Sequence, residues 1–242
     1  DGAWRLKLKT PAAGGPFTIT VKGQNTLELK NVLSGEVWLC SGQSNMGMTV
    51  NSVTNAPLEI AAADYPQIRL LSVNLTTANE PQKECKVRGW QLCASNTVGS
   101  FTAAGYFFGR KLHRDLKVPI GLINSSWGGT CIEAWTSWEV QKDDPAMQAL
   151  KKSWDERDKT YTPEADQKQF EEAKKALAAW NKGDKKTNPP RPRLQGQPLK
   201  SQNYPANLFN AMINPLVPFA IKGAIWYQGE ANAGRGKEYR GQ

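Results

Sequence analysis

The chain has 242 residues, 39% of them hydrophobic and 22% charged, which is ordinary for a globular protein with one sizeable core or one domain plus a smaller partner. A single His, and four cysteines (Cys40, Cys85, Cys93, Cys131) without a CxxC pair, exclude the usual zinc sites, and no apolar run approaches the ~20 residues that span a bilayer. The net charge of +9 invites a nucleic-acid reading, but Gln141 to Lys200 mixes fourteen Lys and Arg with ten Asp and Glu and no nucleic-acid motif accompanies them; neither nucleic acid nor membrane is expected as a partner.

In chain order, the first 34 residues read as β. Trp4, Leu6 and Leu8 alternate with basic residues, as do Phe17, Ile19 and Val21, then Leu27 and Leu29, with turns at Gly14-Gly15-Pro16 and Lys22-Gly23-Gln24-Asn25. Three short strands are marginal alone, so residues 1–34 are expected to be the end of a β-sandwich-like domain. From residue 35 to 242 apolar strands are predicted at Glu36–Cys40, Ile68–Val73, Pro119–Asn124 and Ile221–Tyr227. Ala104, Phe108, Leu112 and Leu116 mark a helix before the third strand, and Leu208 and Met212, stopped at Pro215, mark another before the fourth. Strands alternating with helices predict an α/β fold with a parallel sheet. A helical insertion is expected at about 141–200. Asp144-Pro145 opens a helix with Met147, Leu150 and Trp154 on one face; Thr162-Pro163 opens another with Phe170, Ala173, Leu177 and Trp180 on one side. A basic Pro-rich loop, Asn188 to Arg193, follows.

Three segments place Gly and polar residues directly after a strand, where parallel α/β sheets bind ligands. In Cys40-Ser41-Gly42-Gln43-Ser44-Asn45-Met46, Ser44 either exposes a nucleophilic hydroxyl or caps the next helix. In Asn124-Ser125-Ser126-Trp127-Gly128-Gly129-Thr130, the glycines either offer backbone N–H groups to an oxyanion or make a tight turn. Trp127, Trp135 and Trp138 are either a platform for sugar faces or core. In Trp226-Tyr227-Gln228-Gly229-Glu230-Ala231-Asn232, the Gln228 amide can donate to the same oxyanion, and Glu230 can orient a neighbour or begin a helix.

The order G-E-V-W-L-C-S-G-Q-S-N-M, V-P-I-G-L-I-N-S-S-W-G-G-T-C-I-E-A-W, W-Y-Q-G-E-A-N resembles the sialate O-acetylesterase family, within the SGNH hydrolases. The resemblance covers residues 35–135 and about 204–239. It implies a flavodoxin-like three-layer α/β/α fold. Its chemistry would be removal of O-acetyl groups from glycans, sialic acids first, through an acetyl-enzyme on Ser44 with no metal or cofactor. The oxyanion hole would be the Ser44 N–H, the N–H of Gly128 or Gly129, and Gln228, with Asn45, Glu230 and Asn232 in support. Deacetylation of xylan or another polysaccharide is the alternative within this chemistry; a non-catalytic carbohydrate-binding protein is the alternative outside it.

The base departs from the family pattern, which has a D-x-x-H-type motif near the C-terminus that these residues lack. His113 reads as an ordinary helical residue, and Glu230 is a weak base near neutral pH unless its pKa is raised. A downstream segment of the same polypeptide is therefore expected to supply an Asp and a His, leaving residues 1–242 nearly inactive alone. The family implies a periplasmic or secreted protein. A Cys85–Cys93 bridge is permitted by that setting without being required, whereas Cys40 and Cys131 are expected to be small buried hydrophobes.

Overall fold

The computed structural model describes residues 6–183, 189 and 191–241. Trp4, Asn188 and Pro190 lie outside the described residues. The chain divides into two compact units.

The first unit comprises residues up to Leu75, Lys86–Gly129 and Val217–Gln228. It starts with an antiparallel hairpin of β1 (Gly14–Lys22) and β2 (Thr26–Ser34), closed at Lys22 opposite Thr26. Leu6 and Leu8, expected in a further strand, are irregular and exposed; alternation alone makes no strand where no neighbouring strand takes its backbone hydrogen bonds. Gly14-Gly15-Pro16 is the irregular start of β1 rather than a turn before it.

The main sheet holds β3 (Glu36–Gly42), β4 (Asp64–Ser72), β5 (Gln91–Ala94), β6 (Ile120–Ser126) and β7 (Gly223–Tyr227), in the order β5-β4-β6-β3-β7. The four strands foreseen from apolar runs are parallel, while β5 is an unforeseen antiparallel edge strand. The sheet is therefore mixed and parallel-rich, flanked by helices, and the fold class is α/β as expected. Helices α1 (Ser44–Gly47), α2 (Ala56–Ala61) and α3 (Ala103–Leu116) complete the unit.

Thr102 caps α3 by accepting the Gly105 N–H at 3.2 Å, and Lys117 (φ 57°) ends it in the left-handed conformation. The buried side of α3 centres on Ala103, Gly105, Tyr106 and Gly109; Ala104, Phe108 and Leu112 are only partly buried and Leu116 is exposed. The expected stripe was thus displaced, because glycines carry no hydropathy signal yet form the closest contact. A Cβ on Gly105 would lie 2.9 Å from Cys40 Sγ, and one on Gly109 2.6 Å from Leu122 Cδ1. The core of this unit gathers Cys40, Val50, Ile68, Leu70, Val98, Tyr106, Ile120 and Leu122.

The second unit comprises Thr76–Cys85, Thr130–Leu216 and Gly229–Gln242. Its α-helices are α4 (Ile132–Trp135), α5 (Trp138–Gln141), α6 (Pro145–Thr160), α7 (Pro163–Asn181) and the short α8 (Gly236–Tyr239). The Asp144 side chain accepts the Ala146 N–H at 2.8 Å and the Thr162 hydroxyl the Ala165 N–H at 3.2 Å, each followed by Pro at the first helical position. Met147 is fully buried, with Leu150 and Trp154 half-buried beside it; Phe170, Ala173, Leu177 and Trp180 are the half-buried row of α7. The Asp166 carboxylate accepts the N–H groups of Gln195 and Gly196, both at 2.9 Å, fastening the return segment to the start of α7. The helix expected around Leu208 and Met212 is a π-helical turn, Phe209–Ile213.

Candidate active site

Ser44 is the first residue of α1, separated from the end of β3 by Gln43 alone. Backbone hydrogen bonds build the turn that carries it. The Gln43 N–H donates to the Tyr227 carbonyl at 2.8 Å, the Gly47 N–H to the Gln43 carbonyl at 2.8 Å, and the Trp127 N–H to the Gly42 carbonyl at 3.0 Å. The carboxyl ends of β3, β6 and β7 are thereby knitted around one turn. Gly42 is required there: its φ is +136°, and a Cβ would sit 2.1 Å from the Tyr227 carbonyl oxygen. From the other side the Thr102 hydroxyl donates to the Met46 carbonyl at 2.6 Å, and the Met48 carbonyl accepts the Ala103 N–H at 2.8 Å. Gln43 and Met46 are buried and anchor the turn, which leaves Ser44 and Asn45 exposed.

Gly128 lies against Ser44. A Cβ on Gly128 would meet Ser44 Cβ at 3.4 Å and Ser44 Cα at 3.5 Å. Gly129 adopts a left-handed φ of +72°, with nothing within 4 Å of where a Cβ would stand, and both glycines are exposed. The Ser126 hydroxyl donates to Asn124 Oδ1 at 2.7 Å just before this pair. Gln228, half-buried, follows β7 directly. Ser44, Asn45, Gly128, Gly129 and Gln228 thus all follow the carboxyl ends of the three adjacent strands β6, β3 and β7.

Glu230 and Asn232 belong to the second unit. Glu230 is exposed and opens a short 3-10 helix, Glu230–Arg235. Asn232 is buried; its Oδ1 accepts the Ile132 N–H at 2.9 Å and its Nδ2 donates to Glu133 Oε2 at 2.8 Å. Trp135 is core, with its indole N–H donating to Thr130 Oγ1 at 2.8 Å, and Trp127 and Trp138 are half-buried.

His113 sits near the end of α3, where Nδ1 donates to the Val118 carbonyl at 2.8 Å. Strand β6 starts just beyond it at Ile120 and runs seven residues, about 20 Å, to the edge that carries Ser44. The imidazole closes a helix end at the opposite edge of the sheet and is out of reach of Ser44.

All four cysteines are free thiols, so the permitted Cys85–Cys93 bridge is not made. Cys93 faces the core of the first unit, and burial pushes its thiol, like that of Cys40, up to about 12. Cys131, expected to be buried, is half-buried with Sγ 3.7 Å from the Ala231 carbonyl, because it precedes α4 at the surface of its unit.

Three residues escaped the sequence reading. The Ser41 hydroxyl, at the end of β3, is buried without a hydrogen-bond partner among the described residues. Glu133 is a buried carboxylate paired with Arg235. The signal for Glu133 was an acidic residue within the apolar Cys131-Ile132-Glu133-Ala134-Trp135, whereas nothing local marks Arg235, 102 positions away.

Residues 34–163, more than half of the chain, match the family described as carbohydrate esterase, sialic acid-specific acetylesterase. The chain belongs to that family. It is 36% identical over 246 residues to the sialate O-acetylesterase of Rattus norvegicus, covering 96% of this chain and 43% of that protein. The human sialate O-acetylesterase is 34% identical over 95% of this chain and 38% of its own length. A crystal structure of a carbohydrate acetylesterase from Xanthomonas citri superposes with a TM-score of 0.69 at 31% identity, over 95% of this chain and 40% of that one. The chain therefore spans less than half the length of these relatives. Among the described residues of this esterase-family chain, no helix is long and apolar enough to cross a membrane.

Proposed function

We propose that the protein is a serine esterase that removes O-acetyl groups from glycans, with O-acetylated sialic acids as the substrate class. The observation that carries this reading is the closeness of Gly128 to Ser44 at the carboxyl edge of the sheet, which puts an exposed serine beside a pair of exposed glycines. In the proposed reaction Ser44 Oγ gives its proton to a base and bonds to the acetyl carbonyl carbon. The oxyanion accepts hydrogen bonds from the Ser44 N–H, from Gly128 or Gly129 and from the Gln228 amide. The sugar oxygen leaves with a proton. Water then attacks the acetyl-enzyme, releases acetate and restores the Ser44 hydroxyl. No step draws on a metal or a cofactor.

The base in this reading is an imidazole from outside these 242 residues, oriented by an Asp, since the sole histidine closes a helix end at the other sheet edge. We also place the protein in the periplasm or outside the cell, where acetylated glycans are met. The test compares acetate release from O-acetylated sialic acid and acetylated xylan by the full-length protein, with Ser44→Ala beside it. Release is expected to be faster from the sialic acid, to fall as pH drops through about 6.5 as an imidazole protonates, and to drop at least ~1000-fold in Ser44→Ala. Faster release from xylan would overturn the substrate class, and unchanged release in Ser44→Ala would overturn the serine mechanism.

A further inference from the structure

The second unit contains a buried charge cluster that the proposed chemistry does not use directly. The Glu133 side chain is 3% exposed, and both of its oxygens are engaged. Oε1 pairs with Arg235 Nη2, and Oε2 accepts from Asn232 Nδ2 at 2.8 Å. Asn232 in turn accepts the Ile132 N–H at 2.9 Å, and its own N–H donates to the Gly229 carbonyl at 2.9 Å. The Glu133 carbonyl accepts the Ala206 N–H and the Gln141 side-chain amide, both at 2.9 Å, so the carboxylate is mounted on a fixed stem. Arg235 reaches out at 3.1 Å to Glu238 with its other nitrogen. Burial works against its charge, but the hydrogen bond and charge of Glu133 prevail and raise its pKa. A buried carboxylate persists only where its partners replace water, so removing either partner leaves a costly orphan.

The location of this cluster gives it meaning. Its two arms are the segments that leave the second and third motifs: Thr130 follows Gly129 by one peptide bond, and Gly229 follows Gln228 by another. Gly229 has a φ of +148°, which glycine adopts readily and other residues rarely do, and the Asn232 N–H closes the turn after it onto the Gly229 carbonyl. Asn232 and Arg235 tie the residues after that turn to the Glu133 carboxylate.

Resting on the serine-esterase reading above, we propose that Glu133 is a positioning residue. Its carboxylate, clamped between the Asn232 amide and the Arg235 guanidinium, sets the Gly229–Arg235 loop and thereby the aim of the Gln228 donor at the oxyanion. An oxyanion-hole donor acts only when aimed at the developing charge, and a displacement of about 1 Å is enough to cost roughly 100-fold.

The test measures kcat and KM for p-nitrophenyl acetate in the full-length protein, together with thermal midpoints. Glu133→Gln keeps the shape and the Asn232 contact while removing the ion pair. Arg235 is about one-third exposed, so Arg235→Met guards against a variant that fails to fold. Both should lower kcat by about 10- to 100-fold with KM changed less than about threefold. The double variant should be no worse than either single one, because the two side chains act as one unit. Arg235→Lys, which keeps the charge, should restore most of kcat. A lowered thermal midpoint with kcat unchanged would show a merely structural ion pair and overturn the proposal, as would additive losses. Ser44→Ala in the same assay separates the two ideas: activity that survives it sinks the esterase reading, whereas activity abolished there but intact in Glu133→Gln sinks only the clamp.

Discussion

Gly42 and Gly128 both lack a side chain beside Ser44, for different reasons. Gly42 needs its left-handed φ and its close approach to the Tyr227 carbonyl, so any Cβ drives backbone into backbone. Gly128 tolerates a methyl at ordinary contact distance from Ser44, and its absence keeps the approach to the hydroxyl open. Gly42→Ala is therefore expected to destabilise by more than about 4 kcal/mol or to yield no folded protein. Gly128→Ala should hold within about 1 kcal/mol of the parent and lose esterase activity. Denaturant midpoints and acetate release measured on both variants check the pair. Equal stability of the two would contradict the role given to the β3–β7 contact.

Helix α3 shows the same economy over a whole element. Gly105 and Gly109, one turn apart, let it lie directly on Cys40 and Leu122 of the sheet. In an exposed helix, replacing Gly by Ala gains up to about 1 kcal/mol. At Gly105 the added methyl would meet buried Thr102 Cγ2 at 2.7 Å as well as Cys40 Sγ, and overpacking of this kind costs roughly 1–3 kcal/mol. Gly105→Ala is expected to lower stability by about 1–2 kcal/mol in urea unfolding; a gain would contradict the packing described.

The return segment of the second unit carries a pH-dependent element. The N–H groups of Gln195 and Gly196 hold the Asp166 carboxyl below its usual value. A depressed folded pKa means that the tether's contribution is fully present above the unfolded value near 3.9 and is lost as pH falls through the folded one. Amide-exchange protection at Gln195 and Gly196 should fade on acidification below about pH 4 and be weak at every pH in Asp166→Asn. Protection that persists in that variant would contradict the tether.

These elements also show how much could be read in advance. The four parallel strands announced themselves as apolar runs, although β7 is a largely exposed edge strand, and α6 and α7 did so because Asp144-Pro145 and Thr162-Pro163 pair a cap with a first-turn proline. Strand β5 stayed hidden: four residues, Gln91-Leu92-Cys93-Ala94, are too short for a periodicity, and their pairing with β4 is decided in three dimensions. Leu6 to Leu8 erred in the other direction, since alternation reports a face and not a partner. The positions of Ser44, Gly128 and Gln228 just beyond strand ends were legible because each lies within two residues of the carboxyl end of a strand marked by an apolar run. Glu133 and Arg235 were not, because an ion pair between residues so far apart leaves no local trace.

At the scale of the whole molecule, the second and third motifs begin in the sheet unit and run on into the second unit, at Gly129–Thr130 and Gln228–Gly229. The proposed chemistry thus draws its donors from strand ends and the fixing of their loops from the charge cluster beyond them. The central claim is that Ser44 carries the acetyl group between sugar and water. Rapid acid quenching of the full-length protein during turnover of p-nitrophenyl acetate, followed by peptide mass analysis, tests it most directly. The account predicts a single added acetyl group on the peptide containing Ser44, absent in Ser44→Ala. Turnover with that peptide unmodified, or an acetyl group on another residue in both proteins, would contradict it.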